Sequence, residues 1–185
     1  MNIKESYFAF LDQNNAKEKL QKVISEQIEE WKQQPYYEYK PTVNDFGDHS
    51  GEVNRIPGKT IGDVFTTESQ ILTAYSGNSE ATYVSHCGLS YKSVAEEIAY
   101  DITDTFCALR QDWIRQNRDE LLAELKITDY DETWEDDDLF MAVNEDLHDE
   151  YMEEEWFVKN FPQYCLDDDG NPNGDPDDLV FWISV

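Results

Sequence analysis

The sequence predicts an α+β fold: a single domain over residues 1–185, built of long amphipathic helices and a small antiparallel sheet. Leu20, Ile24, Ile28 and Trp31 recur at helical spacing, as do Val94, Ile98, Ile102, Phe106, Leu109 and Trp113, so each set forms one buried stripe. Between them, from Pro35 to about Ser90, that spacing gives way to Tyr- and Thr-rich runs punctuated by glycine and proline, the pattern of short strands and turns. With 185 residues, 39% of them apolar and 14% aromatic, the chain is long enough to bury a sizeable core.

Tyr7, Phe8, Phe10 and Leu11 form an apolar opening, expected as a short helical turn. Asn15 and Glu18 are spaced as a capping pair, and a helix over about 15–33 follows, ending before Pro35. Its surface mixes Lys17, Lys19, Lys22 and Lys32 with Glu18, Glu26, Glu29 and Glu30. The strand-rich segment covers 36–88, where IGDVF, QILTAYS and ATYVSHC are strand-like and Ser76-Gly77-Asn78-Ser79 suits a hairpin turn. Ser93 and Glu96 form a capping box for a helix over about 91–125. Arg110, Arg115 and Arg118 on its later half are expected to pair with Asp112, Asp119, Glu120 or the acidic helix that follows. The segment 161–185 is expected as a turn-rich loop closed by a buried strand, Leu179 to Val185.

Net charge is −27, from 41 acidic residues against 14 Lys and Arg. Such a charge repels nucleic acid and anionic membranes and attracts basic proteins over long range. Cys87, Cys107 and Cys165 are odd in number, far apart and in no ligand pattern, which points to a reduced, cytoplasmic setting. The opening MNIKESYFAFLDQNN lacks the basic and apolar regions of a signal peptide, and no apolar run approaches a membrane span. His49, His86 and His148 have no partner at zinc spacing. The loop DDDGNPNGDPDD places Asp169, Asn171, Asn173, Gly174, Asp175 and Asp177 in the register of a calcium loop. Val180 stands where the bidentate Glu belongs, so a plain polar turn is the better reading and no metal or cofactor is expected. No nucleophile elbow, phosphate loop or H-E-x-x-H motif occurs, so the chain is read as a binding protein and not an enzyme.

The charge is concentrated from Thr128 to Asn160, in TDYDETWEDDDLFMAVNEDLHDEYMEEEWFVKN. Between Lys126 and Lys159 there is no Lys or Arg. Phe140, Val143, Leu147, Tyr151 and Val158 recur at helical spacing, so one acidic helix is expected over about 133–158, capped by Asp131 or Thr133. Asp136, Asp137, Asp138, Glu145, Asp146, Asp149, Glu150, Glu153 and Glu154 then make its outer surface, the candidate partner-binding face. Asp136 to Asp138 suit the helix dipole, whereas Glu153 to Glu155 at the far end of that helix oppose it. Along 145–154 of a continuous helix the charge density is about one per 2.5 Å, against about one per 1.7 Å in duplex DNA. Trp134, Tyr130 and Trp156 are candidate apolar anchors, with core burial the more natural role for Trp156.

A very acidic, aromatic-rich chain with a cation-free acidic helix resembles the DNA-mimic inhibitors of phages and mobile elements, the anti-restriction and anti-CRISPR proteins. The resemblance rests on composition and on the 128–155 window. It implies an inhibitor that blocks the nucleic-acid-binding cleft of a host defence protein in the bacterial cytoplasm, a CRISPR effector nuclease first and a restriction enzyme second. It implies no direct binding of DNA or RNA. Two other classes remain open: an immunity or antitoxin protein that neutralises a basic nuclease toxin, and a divalent-metal-binding protein or enzyme.

Overall fold

The computed structural model describes residues 2–43, 49–76, 93–127, 136–147 and 151–185. Among them are eight α-helices and one two-stranded antiparallel sheet, so the α+β class holds.

The Asn2 side chain accepts a hydrogen bond from the Glu5 N–H at 3.2 Å and opens α1 (Ile3–Gln13), which is longer than the expected turn and buries Tyr7, Phe10 and Leu11. Asn15 adopts φ 54°, the left-handed conformation that Asn tolerates better than most residues, and α2 (Ala16–Trp31) begins at the next residue. Leu20, Ile24 and Ile28 are buried, as their spacing predicts, while Trp31 at the end of the expected stripe is only half-buried.

Strand β1 (Pro35–Val43) pairs antiparallel with β2 (His49–Thr60), placing Tyr37 opposite Arg55 and Lys40 opposite Glu52. Two of the runs expected as strands are helical instead. IGDVF lies at α3 (Ile61–Val64), and QILTAYS begins within α4 (Glu68–Leu72), although Tyr75 near its end makes an isolated antiparallel bridge to Ser93. Each helix starts with a capping box. The Asp63 N–H donates to Thr60 Oγ1 at 3.3 Å while the Thr60 N–H donates to Asp63 Oδ2 at 2.8 Å, and Thr67 and Gln70 repeat the exchange. Helix starts are thereby satisfied locally, which outweighs the strand propensity of the β-branched residues. Gly62 packs against Lys32, whose carbonyl oxygen would lie 3.1 Å from an added Cβ. The third run, ATYVSHC, and the turn from Gly77 to Ser79 lie outside the described residues.

Helix α5 (Val94–Gln116) begins at the expected box, with the Glu96 N–H donating to Ser93 Oγ at 3.2 Å. Ile98, Ile102, Phe106, Leu109 and Trp113 are buried along it. The helix expected over 91–125 is divided at Asn117, whose side chain donates to the Trp113 carbonyl at 2.8 Å; α6 (Arg118–Glu124) follows. The acidic helix expected over 133–158 is also two, α7 (Asp136–Leu147) and α8 (Met152–Asn160). Tyr151, immediately before α8, has φ 43°. Leu179 to Val185 is not a ladder strand. Leu179 makes an isolated bridge to Cys165, and the chain beyond it buries Phe181 and Ile183 while exposing Trp182, an alternation that mimics a strand in the sequence.

The chain divides into two compact units, residues 1–23, 101–161 and 183–185 in one and 24–100 and 162–182 in the other, with α2 and α5 contributing residues to both. In the first, the Phe106 ring meets Trp156 at 6.0 Å and Phe157 at 6.4 Å, and Phe157 stacks on Phe161 at 4.6 Å. In the second, Tyr164 and Phe181 meet edge to face at 5.3 Å.

Candidate acidic interface

Helix α7 is amphipathic in a simple way. Val143 and Leu147 are buried as expected, but Leu139 and not the half-buried Phe140 completes their stripe, while Asp138, Met141 and Glu145 are exposed. At about 100° per residue these two sets point in opposite directions, so acid, methionine and acid share one outer stripe. Asp136 and Asp137 are the first two residues of α7, where negative charge suits the positive end of the helix dipole. Asp146, like Glu145, is in its last turn, where a carboxylate opposes the dipole and α7 has no basic residue. Asp149 and Glu150 lie outside the described residues.

Past Tyr151 the expected face changes. Tyr151 is left-handed at φ 43°, and α8 buries Met152, Glu153, Trp156 and Phe157 in place of the expected Tyr151 and Val158 stripe. Glu153 is therefore not part of an outer surface. Its side chain is 6% exposed and that of Arg110 on α5 is 2% exposed, with Nε of the arginine 3.1 Å from Oε1 of the glutamate. Arg110 Nη1 also donates to the Val185 carbonyl oxygen at 3.5 Å, and the guanidinium lies over the Tyr7 ring at 5.7 Å. Burial first, then the Glu153 carboxylate beside it, holds the Tyr7 phenol well above its usual range. Arg110 lies on α5 between Phe106 and Trp113, at the spacing of the core stripe. A cation at such a position requires a buried anion, and that was the sequence signal for the pair.

The three consecutive glutamates also acquire a structural explanation. Because α8 starts at Met152, Glu153, Glu154 and Glu155 occupy its first turn and complement its dipole. Glu155 is ion-paired with Lys4, and Glu154 is half-buried. The acids that oppose a helix end are thus Glu145 and Asp146, not Glu153 to Glu155. The density figure for one continuous helix over 145–154 does not carry over to two helices. Trp156 is core, with its indole N–H donating to Asp12 Oδ1 at 3.1 Å, while Tyr130 and Trp134 lie outside the described residues. The exposed apolar side chains here are Met141 at 71% and Tyr151 at 66%.

Elsewhere, the 167–178 loop is organised by its own side chains. Asp167 Oδ1 accepts from the Asp169 and Asn171 N–H groups at 3.0 and 2.8 Å, Asn173 Oδ1 from Asp175 at 2.9 Å, and Asp175 Oδ1 from Asp177 at 3.1 Å. These are the local turns of a polar loop. Among the described residues, no group of three His, Cys, Asp or Glu side chains is placed to hold a metal ion. Burial pushes the Cys107 and Cys165 thiols up. No described helix is long and apolar enough to cross a membrane. Comparison with protein-family models, with curated proteins and with solved structures finds no match.

Proposed function

We propose that this chain is an acidic nucleic-acid mimic that occupies the DNA- or RNA-binding cleft of a host defence nuclease, a CRISPR effector first and a restriction enzyme next. The observation that carries this reading is α7. It buries Leu139, Val143 and Leu147, keeps Asp138 and Glu145 outside, and ends on acids with no cation in its last turn. A helix shaped by stability alone would place Lys or Arg at that end. The missing cations favour selection for a basic partner, and long-range attraction would make that encounter fast. Asp136, Asp137, Asp138, Glu145 and Asp146 are the proposed contacts; Glu153 is buried and takes no part, and the half-buried Glu154 is secondary.

The test pairs Asp138→Asn with Glu145→Gln and measures association with purified effector and restriction nucleases by stopped flow or surface plasmon resonance. Wild type should bind one of them, with target nucleic acid competing, and should give no gel shift of its own with DNA or RNA. The double variant should keep its melting temperature and associate roughly three- to tenfold more slowly at low salt. A folded double variant with an unchanged on-rate, or a complex indifferent to competing nucleic acid, would end this reading.

A further inference from the structure

Apolar packing has no direction, so a periodic apolar stripe offers a docking helix more than one seat. Helix α5 carries such a stripe. Ile102, Phe106, Leu109 and Trp113 are buried along it, about one turn apart. Helix α8 brings Met152, Trp156 and Phe157 to it, and Phe106 meets both of those rings. A slide of α8 by one turn, about 5.4 Å, would set the rings against another apolar member of the stripe. Two positions are not interchangeable in this way. Arg110 lies one turn past Phe106, and Glu153 lies between Trp156 and Phe157 around α8. They meet at 3.1 Å, both almost wholly buried. After a slide each charge would be buried without its counterion. In the observed seat the Trp156 indole N–H also reaches Asp12 Oδ1, and Arg110 Nη1 reaches the Val185 carbonyl oxygen. As a source of stability the pair is poor, because apolar residues of similar volume often hold a core as well or better. What such residues lack is a preferred position.

We infer that Arg110 and Glu153 form a register lock that fixes where α8 sits along α5, as a single buried polar residue fixes the register of a coiled coil. The lock acts on the uniqueness of packing and not on stability, and it is independent of the proposed mimicry.

The experiment compares the full chain as wild type, as Arg110→Met with Glu153→Leu, and as Phe106→Leu. Circular dichroism follows the melting temperature, and proton–nitrogen NMR follows the Trp156 indole N–H, whose bond to Asp12 exists only in the observed seat. Wild type should give one sharp, slowly exchanging Trp156 signal. The variant without the pair should melt close to wild type, yet its Trp156 signal should split or broaden and its N–H should exchange about tenfold faster. Phe106→Leu removes packing but keeps the lock, so it should melt lower and still give one Trp156 signal. One sharp, equally protected signal in the variant without the pair overturns the inference. So does failure of that variant to fold, since the pair would then supply stability and not position. A split signal in Phe106→Leu overturns it too, because any loss of packing would then free the helix.

Discussion

At the scale of single residues, the buried pair of Arg110 and Glu153 matters most for separating stability from function. Both side chains are almost fully excluded from water, so neither is available to a partner. Removing one member leaves the other charge buried without its counterion, whereas removing both with apolar replacements of similar volume does not. Glu153→Ala should therefore destabilise the fold by about 3–5 kcal/mol in urea unfolding, and Arg110→Met with Glu153→Leu should recover most of that loss. Equal losses in the single and double variants would mean that the ion pair is not what holds these side chains. Neutralising Glu145 belongs to a different class, because that residue is exposed. The distinction was only partly legible in the sequence. Arg110 at core spacing announces a buried anion, but its partner depends on the helical phase of α8. The buried face of α8 is Met152, Glu153, Trp156 and Phe157, which no periodicity in the acidic window reveals.

At the scale of elements, the stripes of α2 and α5 were legible because each is a long amphipathic run with strongly apolar positions. The short elements were not. Thr60 with Asp63 and Thr67 with Gln70 are capping boxes that lie inside runs rich in β-formers, and the local hydrogen bonds decided the outcome. The acidic helix failed as one element for a related reason: Leu139, Val143 and Leu147 continue into positions 150, 151 and 154, but the core takes Met152, Glu153, Trp156 and Phe157 instead. Tyr151 precedes α8 at φ 43°, with no side-chain cap on that helix. A bulky residue in the left-handed region is strained, and glycine would relieve the clash. Tyr151→Gly should raise stability by about 0.5–1 kcal/mol, because the tyrosine ring is exposed and little packing is lost. A loss above about 1 kcal/mol would show instead that the ring supports the turn.

At the scale of the whole molecule, a net charge of −27 acts on folding and on association with opposite signs. In the folded chain the acids repel one another, and folding brings them closer than they are in the unfolded chain. In the encounter with a basic partner the same charges attract. Raising ionic strength from about 0.01 to about 0.15 M shortens the screening length from roughly 30 to roughly 8 Å, so it weakens both effects. The ion pair of Arg110 and Glu153 is buried and is screened much less, so it does not reverse the trend. The melting temperature should therefore rise across this salt range while the association rate with a basic cleft falls by about tenfold or more. Asp138→Asn with Glu145→Gln should reduce both slopes together, since it removes charge from an exposed stripe. Scanning calorimetry and stopped-flow association in the same buffers measure the two slopes side by side. A melting temperature that falls with salt would mean that ion pairs, such as that of Lys4 with Glu155, outweigh the repulsion. An association rate indifferent to salt would mean that the acidic surface does not guide the encounter.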